Sequence, residues 1–242
     1  MSHASRIHAL SFLWLIVPCL GCGRCTPAPT PTAVPDAQRP APASELQPLA
    51  IFDSHTHITP LAETVNQALL IFKEAGVVKF AVKSAGVPGE PRYIMTRRVA
   101  EILGERMAYF TNLDWEGVDE PGWGKREAAR LALAVKEGAS GVKIFKALGL
   151  GVRLKDESLL RVDDKRLEPI WDTAGKVGAI VAWHVADPVA FFKPVNEKNE
   201  RYGELSMAPE WSFYGKDFPS HEELLAQRDE VVRSHPRTTF LG

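Results

Sequence analysis

Cysteine is scarce and confined to one end of the chain: Cys19, Cys22 and Cys25 are the only three among 242 residues. No thiol remains after Cys25 to staple a folded domain or to act as a buried nucleophile, which excludes a cysteine protease or other thiol enzyme. An excess of charge of one sign is also lacking, with 29 Lys and Arg against 30 Asp and Glu and a formal net charge of -1. Without a basic surplus there is nothing to draw the phosphate backbone of a nucleic acid, and that class of partner is set aside. What is present is an ordinary globular composition, 45% hydrophobic and 24% charged. Its length fits one (β/α)8 barrel, which takes about 250 residues.

The first fifty residues depart from that average. Arg6, between His3 and His8, precedes the apolar run Ala9 to Val17, and Cys19-Leu20-Gly21-Cys22 follows. The run is shorter than the roughly 20 residues that a bilayer-spanning helix needs, so residues 1–22 are expected to be an export signal rather than a membrane span. Leu20-Gly21-Cys22 resembles the end of a bacterial lipoprotein cleavage box, although Cys19 stands where a leucine is usual. This resemblance implies lipidation at Cys22 and a chain anchored in the bacterial cell envelope; the alternatives are a plain secretory or periplasmic signal, or a Cys-rich metal-binding tract. Residues 23–48 are rich in Pro, Ala and Thr. Such a segment cannot bury enough apolar surface to offset its ordering entropy, and it is expected to be an extended linker.

From residue 49 onward, short apolar runs alternate with longer amphipathic stretches, the rhythm of repeated βα units on a parallel sheet. Strands are expected at 49–57, 77–85, 107–113, 140–146 and 179–185, with a sixth beginning at 238. Helices are expected near 61–75, 92–104, 124–138, 165–177 and 220–234, each closing at or near a breaker such as Gly76, Gly104, Gly138, Gly178 or Pro236. A doubly wound open sheet shares this rhythm, but its Gly-rich phosphate loop is missing after the first strand, which ends in histidines instead. Five βα units and the start of a sixth strand are visible in residues 49–242. The expected fold is therefore a TIM-type (β/α)8 barrel truncated after about five and a half units, the chain being a piece of a longer protein.

The histidines are the informative feature. In Ile51-Phe52-Asp53-Ser54-His55-Thr56-His57 the two imidazoles lie two residues apart, so strand alternation places them on one face at the strand's C-terminal end. In a parallel barrel that end opens onto the active site, and the partner that would suit two converging imidazoles is a divalent cation.

Phe52-Asp53-Ser54-His55-Thr56-His57 resembles the first-strand metal motif of the amidohydrolase superfamily, in its amidohydrolase-related (amidohydrolase 2) branch, and the likeness runs over residues 50–242. Gly141-Val142-Lys143-Ile144-Phe145-Lys146 is similar to that family's fourth strand, where a lysine can be carboxylated and bridge two metals. The resemblance points to Lys143 as that lysine, with a structural or substrate-anchoring lysine as the alternative, and to His184, at the end of Ala179-Ile180-Val181-Ala182-Trp183-His184, as the fifth-strand ligand. It implies one or two divalent ions, Zn2+ foremost, held by His55, His57, Lys143 and His184. It also implies a histidine after strand six and an aspartate after strand eight, the latter a general base. Neither position occurs before Gly242, so the expected base lies beyond it.

His221 is expected in the first turn of a helix capped by Ser220 and Glu223, and His235 at a helix exit; neither is taken as a ligand. Arg153, Lys155, Arg161 and Lys165 could anchor a carboxylate but fit a solvated face better. The function that the resemblance implies is metal-assisted hydrolysis of a C–N or C–O bond in a small molecule, the ion lowering the pKa of water toward about 7. The alternatives are decarboxylation or hydration within the same branch, or a surface lipoprotein that binds ligand or metal without turnover.

Overall fold

The computed structural model describes residues 49–215 and 217–242, so the expected signal, the linker and Cys22 lie outside the described residues. The elements are β1 (Ile51–Thr56), α1 (Ala62–Glu74), β2 (Val77–Val82), α2 (Pro91–Leu103), β3 (Met107–Asn112), α3 (Trp123–Lys136), β4 (Gly141–Ile144), α4 (Ala147–Leu150), α5 (Glu168–Val177), β5 (Ile180–Trp183), α6 (Tyr202–Met207), α7 (His221–Ser234) and β6 (Thr239–Leu241). All six strands are parallel and lie side by side in chain order, β1-β2-β3-β4-β5-β6. Such an order has no reversal point, which removes the doubly wound alternative.

The sheet is curled. Six strands laid flat at about 4.8 Å spacing would hold their outermost members roughly 24 Å apart, yet Ser54 and His55 of β1 line the same cavity as Leu241 of β6. The His57 ring likewise lies 5.9 Å from that of Phe145, just after β4. The described domain is a partial (β/α) barrel of five and a half units, with β1 and β6 each leaving one edge unpaired among the described residues.

Alternation along the strands sorts side chains into two layers. Val142, Ile144, Val181 and Trp183 point outward and bury against Leu131, Ile170, Trp171 and Ala174 of α3 and α5. Phe80, Val82, Met107 and Tyr109 do the same against Tyr93 and Ala100 of α2. The opposite parity fills the barrel's interior with a smaller cluster, Ala81, Phe110 and Ala182, flanked by Ala108 and Ile180. Burying each large outer side chain contributes about 1.5–3 kcal/mol, so the helix-facing layer carries most of the apolar stabilisation. Trp183 stacks on Phe240 at a centroid distance of 4.6 Å and fixes β6 beside β5.

Helix ends follow their local chemistry. Ser220 and Glu223 form the expected reciprocal capping box at the start of α7, with His221 its first residue and His235 its C-cap. Gly178 closes α5 in the left-handed conformation, at φ 70°. The strands are shorter than the apolar runs suggested, and two short helices, α4 and α6, fall in stretches expected to be loop. α4 holds non-helical torsions at Leu148 and Gly149, which explains why no helical periodicity marks it. Among the described residues no helix is long and apolar enough to cross a membrane.

Candidate active site

The C-terminal ends of β1, β2, β4 and β5 meet at a cavity of about 370 Å3 whose lining includes Ser54, His55, Lys83, Lys143, Ala182 and His184. Three of the four expected metal-site residues thus face one space, and His57 adjoins it, its ring centroid 5.2 Å from that of His55. Arg153, Lys155, Arg161 and Lys165 are exposed and none lines it.

The first strand reaches this geometry through an irregularity. Asp53 pairs with Phe80 and Thr56 with Val82, so three steps along β1 oppose two along β2. Such a bulge re-aims the residues within it, and here Ser54 and His55, neighbours in sequence, both line the cavity, which strict alternation forbids. The Asp53 carboxylate accepts the His55 backbone N–H at 3.1 Å, and the Thr56 hydroxyl donates to the Ala81 carbonyl at 2.9 Å; these bonds hold the distorted segment in place. Alternation alone was therefore an incomplete account of why His55 and His57 come together.

The two imidazoles are in the state that ligation requires. Burial first, then the Lys143 ammonium, with smaller contributions from His57, Lys83 and His184, hold the His55 pKa below its usual value. Burial, Lys143 and Arg92 do the same for His57. Both rings are accordingly neutral at pH 7, the form that binds metals. Two imidazoles sharing one tetrahedral ion at about 2.0–2.1 Å have ring centroids roughly 5 Å apart, and the observed spacing fits. The set is nonetheless partial: among the described residues no three His, Cys, Asp or Glu side chains are grouped to hold an ion.

His184 has a different immediate partner. Its Nε2 lies 3.2 Å from Asp187 Oδ1, while the Lys146 ammonium donates to Asp187 Oδ2 at 2.5 Å. Burial would raise the Asp187 pKa, but the His184 and Lys146 hydrogen bonds outweigh it and keep the carboxyl ionised. A carboxylate on Nε2 selects the tautomer whose Nδ1 carries the free lone pair. Lys146 therefore serves this ion pair after β4, and Lys143 is the fourth-strand lysine that lines the cavity.

Lys83 was missed by sequence reasoning. It follows β2 directly, two residues after Ala81, and is only 2% exposed; Lys143 is 3% exposed. Burial and the nearby Lys143 lower the Lys83 pKa to about 8, and burial lowers that of Lys143. The Lys83 Nζ lies 3.2 Å from the centroid of the Phe110 ring, and no carboxylate pairs with either lysine among the described residues. Asn112, between them on β3, donates to the backbone carbonyls of both Lys83 (3.1 Å) and Lys143 (3.4 Å), tying the ends of β2 and β4 together. The signal in the sequence was a lysine ending the apolar run Val77–Val82.

No family model and no curated protein matches the sequence. Among solved structures the chain is similar to 2,6-dihydroxybenzoate decarboxylase from Rhizobium, at 15% identity and a TM-score of 0.46, over 79% of this chain and 65% of that one. It is similar to dihydroxybenzoic acid decarboxylase from Polaromonas sp. JS666 with bound manganese and the inhibitor 2-nitroresorcinol, at 12% identity and a TM-score of 0.45, over 79% and 64%. An amidohydrolase from Mycobacterium avium subsp. paratuberculosis is similar at 14% identity and a TM-score of 0.40, over 73% and 46%. The chain spans less than two thirds of the length of each. At this level of similarity the chemistry has to be argued from the side chains of the site itself.

Proposed function

We propose that the chain belongs to a metal-dependent enzyme of the amidohydrolase type, acting on a small molecule in the cavity at the strand ends. The observation that carries this reading is the 5.2 Å spacing of the His55 and His57 rings beside a cavity lined by Lys143 and His184. His55 and His57 would hold a divalent ion, Zn2+ being the first choice, with Lys143 beside them. A divalent ion supplies Lewis-acid polarisation of a water and of a substrate carbonyl or carboxyl oxygen. His184, its Nε2 held by Asp187, faces the same cavity and would complete the ligand set through Nδ1 or accept a proton there. Ala182 gives the cavity a small apolar surface beside Lys143. Hydrolysis of a C–N or C–O bond is the leading reaction, and decarboxylation uses the same polarisation. Export and anchoring through a lipid on Cys22 belong to the same proposal.

Metal content tests it. After stripping with chelator, reloading with Zn2+ or Mn2+ and gel filtration, the chain is expected to retain an ion by mass spectrometry of metals. The His55→Ala/His57→Ala pair is expected to lose it while keeping its circular dichroism. Retention should also fall as the pH drops below the lowered imidazole pKa values, because protonated rings do not ligate. A folded wild type retaining no more metal than the double variant would remove the proposal.

A further inference from the structure

The pairing of His184 with Asp187 depends on a residue that does not line the cavity. Lys146 lies two residues beyond β4, and its ammonium donates to Asp187 Oδ2 at 2.5 Å, while His184 Nε2 lies 3.2 Å from Oδ1. The Asp187 side chain is only 7% exposed and makes no other hydrogen bond or ion pair among the described residues. Each oxygen thus has one partner and little water to take its place. The same ammonium lies 5.8 Å and 5.3 Å from the ring centroids of Phe191 and Phe213. Both rings belong to the segment after β5, where the Phe213 N–H donates to the Phe191 carbonyl at 2.8 Å. The turn that delivers Asp187 is strained: Ala186 is 2% exposed and left-handed at φ 65°, a conformation that a residue with a Cβ seldom adopts. Such strain persists only where its surroundings hold it.

We propose that Lys146 is a positioning residue for His184: by holding one oxygen of Asp187 it turns the other onto Nε2, and so fixes Nδ1 as the nitrogen that offers a bare lone pair to the cavity. A carboxylate held by one hydrogen bond alone is free to turn about its last bond, whose torsional preference is broad. A second bond on the opposite oxygen removes that freedom. An ammonium only donates and a carboxylate only accepts, so the Nε2 that faces Asp187 carries the proton. Phe191 and Phe213 extend the anchorage to the segment after β5, fastening it and the His184 ring to the end of β4 through one atom, Lys146 Nζ. This role rests on the cavity being the site proposed above, but not on the ion.

The test reads the His184 tautomer in the full chain stripped of metal, by long-range 1H–15N NMR correlation of 15N-labelled histidines at about pH 9, above the ordinary imidazole range. The His184 signals are those absent from His184→Gln. Wild type is expected to show Nε2 protonated and Nδ1 bare. Lys146→Met should give a mixture of the two tautomers, and Lys146→Arg, which can still donate to Oδ2, should restore the single one. Asp187→Asn is expected to reverse the tautomer, because Lys146 takes the amide oxygen and leaves the NH2 to donate to Nε2. In the Lys146→Met/Asp187→Asn pair the amide is free to turn and the mixture returns. A tautomer unchanged in Lys146→Met overturns the proposal, and so does an Asp187→Asn variant that keeps Nε2 protonated. Should Lys146→Met lose its native circular dichroism, Asp187→Asn decides alone: reversal supports the role and a retained Nε2 proton removes it. A wild type that holds no Zn2+ but whose tautomer answers to Lys146 loses the proposed ion and keeps this inference. One that holds Zn2+ through His55 and His57, with a tautomer indifferent to Lys146, does the reverse.

Discussion

Replacing Lys83 by methionine is expected to stabilise the protein, against the usual direction of substitutions at a residue only 2% exposed. The lysine's pKa is lowered from 10.5 to about 8, burial being the larger cause and Lys143 the second. At about 1.4 kcal/mol per pH unit, that gap corresponds to about 3 kcal/mol by which the folded state disfavours the charged form. Losing the cation over the Phe110 ring gives back about 1 kcal/mol, while methionine keeps most of the side chain's volume. The net gain at pH 7 is therefore about 1–3 kcal/mol. The sign of the pH dependence follows from the same shift. Below about pH 8 the lysine is charged in both states and the penalty is complete. Between about pH 8 and 10.5 the folded protein releases its proton first, the unfolded chain binds more protons, and wild-type stability rises with pH. Urea unfolding of both proteins at pH 7 and at about pH 10, each with its own m-value, measures the difference. The advantage of Lys83→Met should be largest at pH 7 and shrink by about 2 kcal/mol at the higher pH. A variant no more stable than wild type at pH 7, with a difference that does not change with pH, would refute the argument that this charge is buried unpaired.

Gly141→Ala tests the packing between β4 and β5: an added Cβ would sit 1.9 Å from the Ile180 carbonyl oxygen, a backbone atom that cannot swing away. The expected loss is about 3 kcal/mol or more by urea unfolding, and a loss under about 1 kcal/mol would mean that the two strands separate more readily than their register implies. The proposed lipid anchor is tested by fractionating cells that express wild type or Cys22→Ala. Wild type is expected with the membranes and the variant in the soluble exported fraction; identical distributions would exclude anchoring through Cys22.

Strand and helix placement from residue 49 onward was largely legible because a parallel barrel writes it plainly. The central strands β3, β4 and β5 are short apolar runs buried on both faces, and each long helix ends at or near a breaker. Phe80, Val82, Val142, Ile144, Val181 and Trp183 announce strands by composition, and Ser220-His221-Glu222-Glu223 announces a helix start by its capping pattern. What composition could not give was the curl. A flat parallel sheet and a curled one have the same local sequence; only the meeting of β1 with β4 and β6 around one cavity separates them. The bulge at Ser54–His55 was hidden for a related reason. It is a difference in step count between β1 and β2, and neither strand carries a glycine there to mark it.

The site was legible where its chemistry is a histidine at a strand end, and not where it depends on neighbours distant in sequence. His55, His57 and His184 could be named from the sequence, but the carboxylate that holds His184 lies in what read simply as a turn, Ala186-Asp187-Pro188. Lys83 and Lys143 are sixty residues apart, and each alone is a lysine closing an apolar run. Their meaning comes from β3, one strand wide between them, which sets both ends on the same rim and supplies Asn112 as the cross-link. Among the described residues the cavity carries these two lysines and no acidic side chain, so each ammonium adds to the cost of the other's charge, and burial together with Lys143 brings the Lys83 pKa down to about 8.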